Sequence, residues 1–268
     1  MLKDVTFGQY FPGDSVVHKM DPRMKLVLII VYIVMLFVAD GIIPLLLGVA
    51  VTVFAYAMSK LSFKLVWRSV KPILPIVVFT AILNIFFIEG DPLLQWKFIT
   101  ISERGVVTAV LMCVRIISLI AGSSLLTYTT TPIALTDGLE RLMKPLEKIK
   151  VPVHELSMMM TIALRFIPTL LEEADKIMKA QMARGADFES GNLFRRAKAM
   201  VPLLVPLFVS AFRRADELAM AMEARCYHGG EGRTRMRQLK YGKNDGVAGL
   251  SLLALVAVIV LFNALGVF

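Results

Sequence analysis

Residues 26–58 hold a single charged side chain, Asp40. As one helix this run would be about 50 Å long, far more than a hydrocarbon core of about 30 Å. Asp40-Gly41, with Pro44 close behind, marks the break, since glycine and proline punctuate regular structure. The run therefore reads as two short spans joined by a tight turn, the first of them, 26–39, short by the usual rule. Further apolar stretches at 72–88, 105–126 and 246–268 bring the expected spans to five.

The rest of the composition fits a bilayer solvent. The chain is 57% hydrophobic with a mean hydropathy of +0.69, where soluble domains are about 45–50% apolar. Asp4, Asp14 and Asp21 precede the first apolar run, which argues against a cleaved signal peptide. Cys113 and Cys226 lie in unlike surroundings and no Asn-x-Ser/Thr acceptor occurs, so nothing points to a disulfide framework or an oxidising compartment.

Net charge is +9, and its placement orients the spans, because basic short loops stay in the cytoplasm. Lys3, Lys19, Arg23 and Lys25 precede the first span; Lys60, Lys64, Arg68 and Lys71 separate the second from the third. The segment 127–245 holds nineteen of the thirty bases, so twenty-seven fall on one side. The N-terminus and the long segment are expected in the cytoplasm and the C-terminus outside. No zinc-finger spacing or aromatic-basic motif accompanies the bases, and topology accounts for the charge without nucleic acid.

A structureless loop of that length is uncommon, and three helical patterns fill it. The first follows Thr131-Pro132, with Ile133, Leu135, Leu139, Leu142, Met143 and Leu146 at helical spacing. The second runs from Pro152 to Gly185, a glycine in C-cap position, and the third over about 192–226, with Pro202 and Pro206 expected to bend it. Arg165 interrupts 156–171, and 201–212 is too short at twelve residues, so neither is read as a span. The fold class is an all-α integral membrane protein: a transmembrane region, 1–127; a cytoplasmic three-helix module, 128–245; and a last span, 246–268.

Within the module the sequence repeats at an offset of 41, matching Ala174 with Ala215, Asp175 with Asp216, Ala180 with Ala221, Ala183 with Ala224 and Arg184 with Arg225. Ala180, Ala183 and Arg184 lie at i, i+3 and i+4, as do Ala221, Ala224 and Arg225, so each arginine is flanked by small side chains. Small neighbours let another surface approach while the guanidinium fork reaches a carboxylate or a helix C-terminus. The plainer explanation is a helix dipole that favours a base in its last turn; two copies at matched positions weigh against it. A pair of like plugs implies a pair of like sockets.

On GQYFPGDSVVHKMDPRMKL, ALRFIPTLLEEADKIMKAQMARGADF and AMEARCYHGGEGRTR, the chain resembles the transmembrane T component of energy-coupling factor transporters, a resemblance that extends over nearly its whole length. The resemblance implies a bacterial plasma-membrane subunit without catalytic residues or cofactor. It implies that Ala183, Arg184 and Gly185, and Ala224, Arg225 and Cys226, dock two ATP-binding-cassette ATPase subunits. Cys226 departs from the glycine the family often has there, and these unlike neighbours point to two different ATPases. A membrane S component would capture a vitamin or metal ion, and ATP-driven motion would reach it through the module. The sequence has no G-x-x-x-x-G-K-[ST] phosphate loop, so energy is expected from a partner.

Met158, Met159, Met160 and Met178 are flexible thioethers that repack against differing surfaces. They are candidate contacts for one or more S components, although core filling explains the same residues. Arg115, inside a span, is expected to pair within the protein. It also motivates the competing reading, an intramembrane enzyme acting on a lipid-linked substrate, but the spans hold almost no acids or histidines to serve one. His18, His154 and His228 share no metal spacing.

Overall fold

The computed structural model describes residues 10–90, 92–96, 99–188, 192–230 and 238–264. The protein is helical apart from one antiparallel ribbon, β1 (Pro92–Trp96) and β2 (Ile99–Ser102), with Trp96 opposite Ile99. The ribbon lies in what the sequence marks only as a loop between spans. The chain divides into two compact units: one contains Gly8–Arg141 and Gln238–Phe268, the other Leu142–Arg237.

The first unit holds α1 (Val16–Lys19), α2 (Pro22–Val38), α3 (Ile42–Ser59), α4 (Phe63–Val70), α5 (Leu74–Phe87), α6 (Glu103–Thr129), most of α7 (Pro132–Met143) and α10 (Lys243–Ala264). Among the described residues four helices are long and apolar enough to cross a membrane: α3, the α4–α5 rod over Phe63–Phe87, α6 and α10. The rod corrects one boundary. Lys64, Arg68 and Lys71 do not sit in a loop before Pro72; they lie on helix, which passes Pro72 through a single 3-10 turn, Lys71–Ile73. Tightening to i→i+3 bonds accommodates the missing proline N–H without ending the helix.

Helix α2, at 17 residues, is about 25 Å long and sits at the short limit for a span. It starts because Asp21 caps the Arg23 N–H and Pro22 takes the first helical position, where its missing donor is not needed. It stops at the Asp40-Gly41 turn, where Gly41 takes φ +97°, a backbone region open to glycine.

The unit's core is Tyr32, Met35, Leu36, Ala39, Leu45, Leu252 and Ile259, from α2, α3 and α10. Its outer surface carries Phe37, Leu46, Phe54, Phe79, Leu250 and Leu253, each more than half exposed, a distribution suited to lipid and not to water. Hydroxyls join the spans inside: Tyr56 donates to the Ala121 carbonyl at 2.9 Å, and Tyr32 lies in hydrogen-bond contact with Thr52 and with the Ser118 carbonyl. In a medium without water such groups must find partners in the protein.

The second unit is built on two helices of 31 residues each, α8 (Val153–Ala183) and α9 (Leu193–Glu223), preceded by a 3-10 turn over Lys144–Ile149. Neither is among the helices apolar enough to span. Pro168, Pro202 and Pro206 all lie inside helix.

Candidate functional site

The two arginine motifs close their helices with the same turn. In the first, the Ala186 N–H donates to the Gln181 carbonyl at 3.0 Å and the Gly185 N–H to the Met182 carbonyl at 2.9 Å. In the second, the Tyr227 N–H donates to the Met222 carbonyl at 3.1 Å and the Cys226 N–H to the Glu223 carbonyl at 2.8 Å. Every donor and acceptor in one turn has its counterpart 41 residues away in the other. These paired bonds define a left-handed helix cap, and Gly185 and Cys226 occupy its left-handed position at φ +90° and +54°. Arg184 and Arg225 are thus the last residues before each chain reversal.

Both arginines are exposed, as are Ala183 and Ala224 beside them. Neither guanidinium makes a hydrogen bond or ion pair among the described residues. Each is a charged fork on a small-residue ledge, presented outward.

The register of the repeat also governs how the helices meet. Arg214 Nη2 donates to Glu173 Oε2 at 2.9 Å, and Ser210 Oγ donates to Glu173 Oε1 at 2.5 Å. Glu173 and Arg214 are themselves 41 residues apart, so α8 and α9 touch at equivalent positions. The Ser210 and Arg214 hydrogen bonds hold the Glu173 carboxyl below the ordinary carboxylate range, against the smaller opposing effect of burial.

Arg184 lies eleven residues beyond Glu173, and Arg225 eleven beyond Arg214, so each stands about 16 Å along its helix from the contact. A parallel arrangement would require the connection from Ala183 to Leu193 to cover roughly 46 Å, more than the about 36 Å its ten steps allow. A parallel arrangement is thereby excluded, and the two arginines stand at matched distance along their helices from the contact.

Of the candidate methionines, Met158 and Met178 are half-buried, while Met159 and Met160 are 55% and 41% exposed. They lie on α8 and do not join the arginine turns in one site. Sequence reasoning missed a stronger apolar face on α9: Val201, Val205, Phe208 and Phe212, all more than half exposed, follow one helix face at i, i+4, i+7 and i+11. The spacing was there to be found within 201–212. The Glu173–Arg214 pair was missed too, although an offset of 41 between opposite charges was its signal.

Among the described residues Arg115 bonds no acid, and its guanidinium instead meets the end of a helix. Its Nη2 donates to the Ala39 carbonyl at 2.6 Å, and Asn263 Nδ2 donates to the Val38 carbonyl at 2.5 Å. Both carbonyls belong to the C-terminal end of α2, where a helix leaves acceptors unsatisfied and favours positive charge. The observation that motivated an intramembrane enzyme is thereby accounted for.

An apolar cavity of about 640 Å³ lies in the first unit, lined among others by Val17, Lys25, Tyr32, Val51, Leu125 and Leu252. Lys25 Nζ already donates to the His18 carbonyl, the Thr129 carbonyl and Thr130 Oγ1, which uses all three of its hydrogens. The lysine in the wall is therefore satisfied from within the protein. No group of three metal-ligating side chains occurs among the described residues.

The chain matches the family model described as cobalt transport protein (CbiQ) over residues 13–236. It is 56% identical over 263 residues to the energy-coupling factor transporter transmembrane protein EcfT of Clostridium kluyveri, covering 97% of each chain. It is 56% identical over 257 residues to the protein of that name in Acidaminococcus fermentans, covering 95% of each. For that of Bacillus subtilis the figure is 48% over 265 residues, covering 98% of this chain and 100% of the relative.

Proposed function

This chain belongs to the CbiQ and EcfT family, the transmembrane proteins of energy-coupling factor transporters, and we propose that within such a transporter it is the coupling subunit between two ATPases and a substrate-capturing S component. In this reading the unit built on α8 and α9 faces the cytoplasm. Arg184 and Arg225 each enter a groove on an ATP-binding-cassette subunit, with Ala183 and Ala224 allowing the close approach and Gly185 and Cys226 turning the chain away behind them. The observation that carries it is the pair of helix-end turns with the same bonding, each presenting an exposed arginine at matched distance from the Glu173–Arg214 contact. Two equal plugs on one subunit fit two ATPases acting together. The unlike residues at 185 and 226 fit two different ones.

The S component, one or several, is assigned the apolar faces, with Met158, Met159, Met160 and Met178 on α8 and the valine and phenylalanine stripe on α9. Substrate recognition, of a vitamin or metal ion, belongs to that component, in keeping with a cavity in this chain whose one lysine is already bonded within the protein. The bacterial cell membrane is the site of action, with the N-terminus inside and the C-terminus outside, as the placement of bases favours.

The test is to purify the tagged chain in mild detergent from its own membranes and identify its companions by mass spectrometry. Two nucleotide-binding subunits and one or more small hydrophobic proteins are expected with the wild type. Arg184→Ala with Arg225→Ala should lose the nucleotide-binding subunits and abolish uptake while the chain still inserts. Wild-type uptake by that double variant would overturn the reading.

A further inference from the structure

Among the described residues the chain passes between its two units twice, after Arg141 inside α7 and before Gln238. On the side of the first unit, both passages are fastened at the start of α2. Approaching the first, Lys25 holds Thr129 at 2.9 Å and Thr130 at 3.2 Å. Gly138 of α7 then lies so close to α2 that a side-chain carbon there would stand 3.2 Å from the Pro22 carbonyl carbon and 3.3 Å from the Arg23 nitrogen. Following the second, Tyr241 lies under Arg23, whose guanidinium carbon is 4.0 Å from the ring centre, within cation–π range. Asp245, at the start of α10, accepts the Asp21 N–H at 3.1 Å through one oxygen and the Gly242 N–H at 2.7 Å through the other.

Arg23 closes the arrangement with a fork on Asp21, Nε to Oδ1 at 3.0 Å and Nη2 to Oδ2 at 2.7 Å. Asp21, Lys25 and Asp245 are all at most 6% exposed. Buried charge is costly unless each group is fully bonded, so the cluster tolerates little rearrangement. A tether alone would not need it, since covalent connection suffices to keep two units joined.

We propose that Asp21, Arg23, Gly138 and Tyr241 form a clasp that fixes both connections to the head of α2, so that motion of the α8–α9 unit is delivered to α2, α6 and α10 together. Arg23 and its partners are positioning residues in this assignment, which rests on the coupling reading. Without the clasp, displacement would be taken up in the two connections and the ATPases would turn over without moving the spans.

Two variants test it without removing a buried charge: Tyr241→Ala, at a residue 60% exposed, and Gly138→Val, which wedges α7 from Pro22. In the purified full-length chain, hydrogen exchange is expected to rise about tenfold at 238–245 in Tyr241→Ala and at 132–138 in Gly138→Val, with α3 and α5 unchanged. In the complete transporter, each variant should retain its ATPase subunits and hydrolyse ATP at the wild-type rate while uptake falls about tenfold. Tyr241→Phe, which keeps the ring, should remain within twofold. Exchange that rises in every helix alike, or uptake and hydrolysis that fall in proportion, overturns the clasp. A wild-type chain that retains no ATPase subunits overturns the coupling reading and this inference with it, whereas retained subunits with unaltered uptake in both variants overturn this inference alone.

Discussion

At φ +54° the backbone of Cys226 sits in the left-handed region that Gly185, its counterpart, occupies at +90°. A side chain in that region costs roughly 1–2 kcal/mol, which glycine avoids. Cys226→Gly is therefore expected to steady the second turn by about 1 kcal/mol, read as slower exchange of the Tyr227 amide. Gly185→Ala should loosen the first by a similar amount; no atom lies within 4 Å of the added carbon, so the effect is conformational and not steric. Replacing Arg184 and Arg225 by lysine keeps charge but loses the planar fork; uptake should be partly retained, and full wild-type uptake would mean that charge alone docks. The arginines were legible in the sequence because their repeat is local. Lys25 was not, since its acceptors Thr129 and Thr130 lie more than a hundred residues away.

Elements add what single residues do not show. The lowered Glu173 pKa makes the α8–α9 contact a carboxylate contact. A group whose folded value lies below its unfolded one stabilises fully above the unfolded value and loses that contribution as pH falls through the folded one. Separation between labels at the two helix ends should thus be constant near neutrality and widen only once the pH has fallen below the ordinary glutamate range. Glu173→Gln should show no such acid step, and an identical step in that variant would assign it elsewhere. For α2, Arg115→Met would strip the donor from the Ala39 carbonyl and is expected to destabilise the membrane unit by about 1–3 kcal/mol, seen as a lower unfolding temperature in detergent. Four of the expected spans were readable because apolar length is a sequence property, although the third begins at Phe63 and not at Pro72. The capping of α2 by α6 and α10 was not, because it depends on the depth at which one helix ends beside another.

On the scale of the molecule, hydropathy and charge point to apolar helices with a helical insert, but nothing in them points to the pinning of α2. Its head is bonded to Thr129 of α6 and to Asp245 of α10; its foot is bonded to Arg115 of α6 and to Asn263 of α10. One helix is thus bolted at both ends to the same two neighbours. In engineering terms these three make a chassis, whose internal distances stay constant whatever the machine around it does. Covalent staples joining α2 to α10 should leave the work of the protein undisturbed, and any part that travels must either lie outside this frame or carry the frame whole.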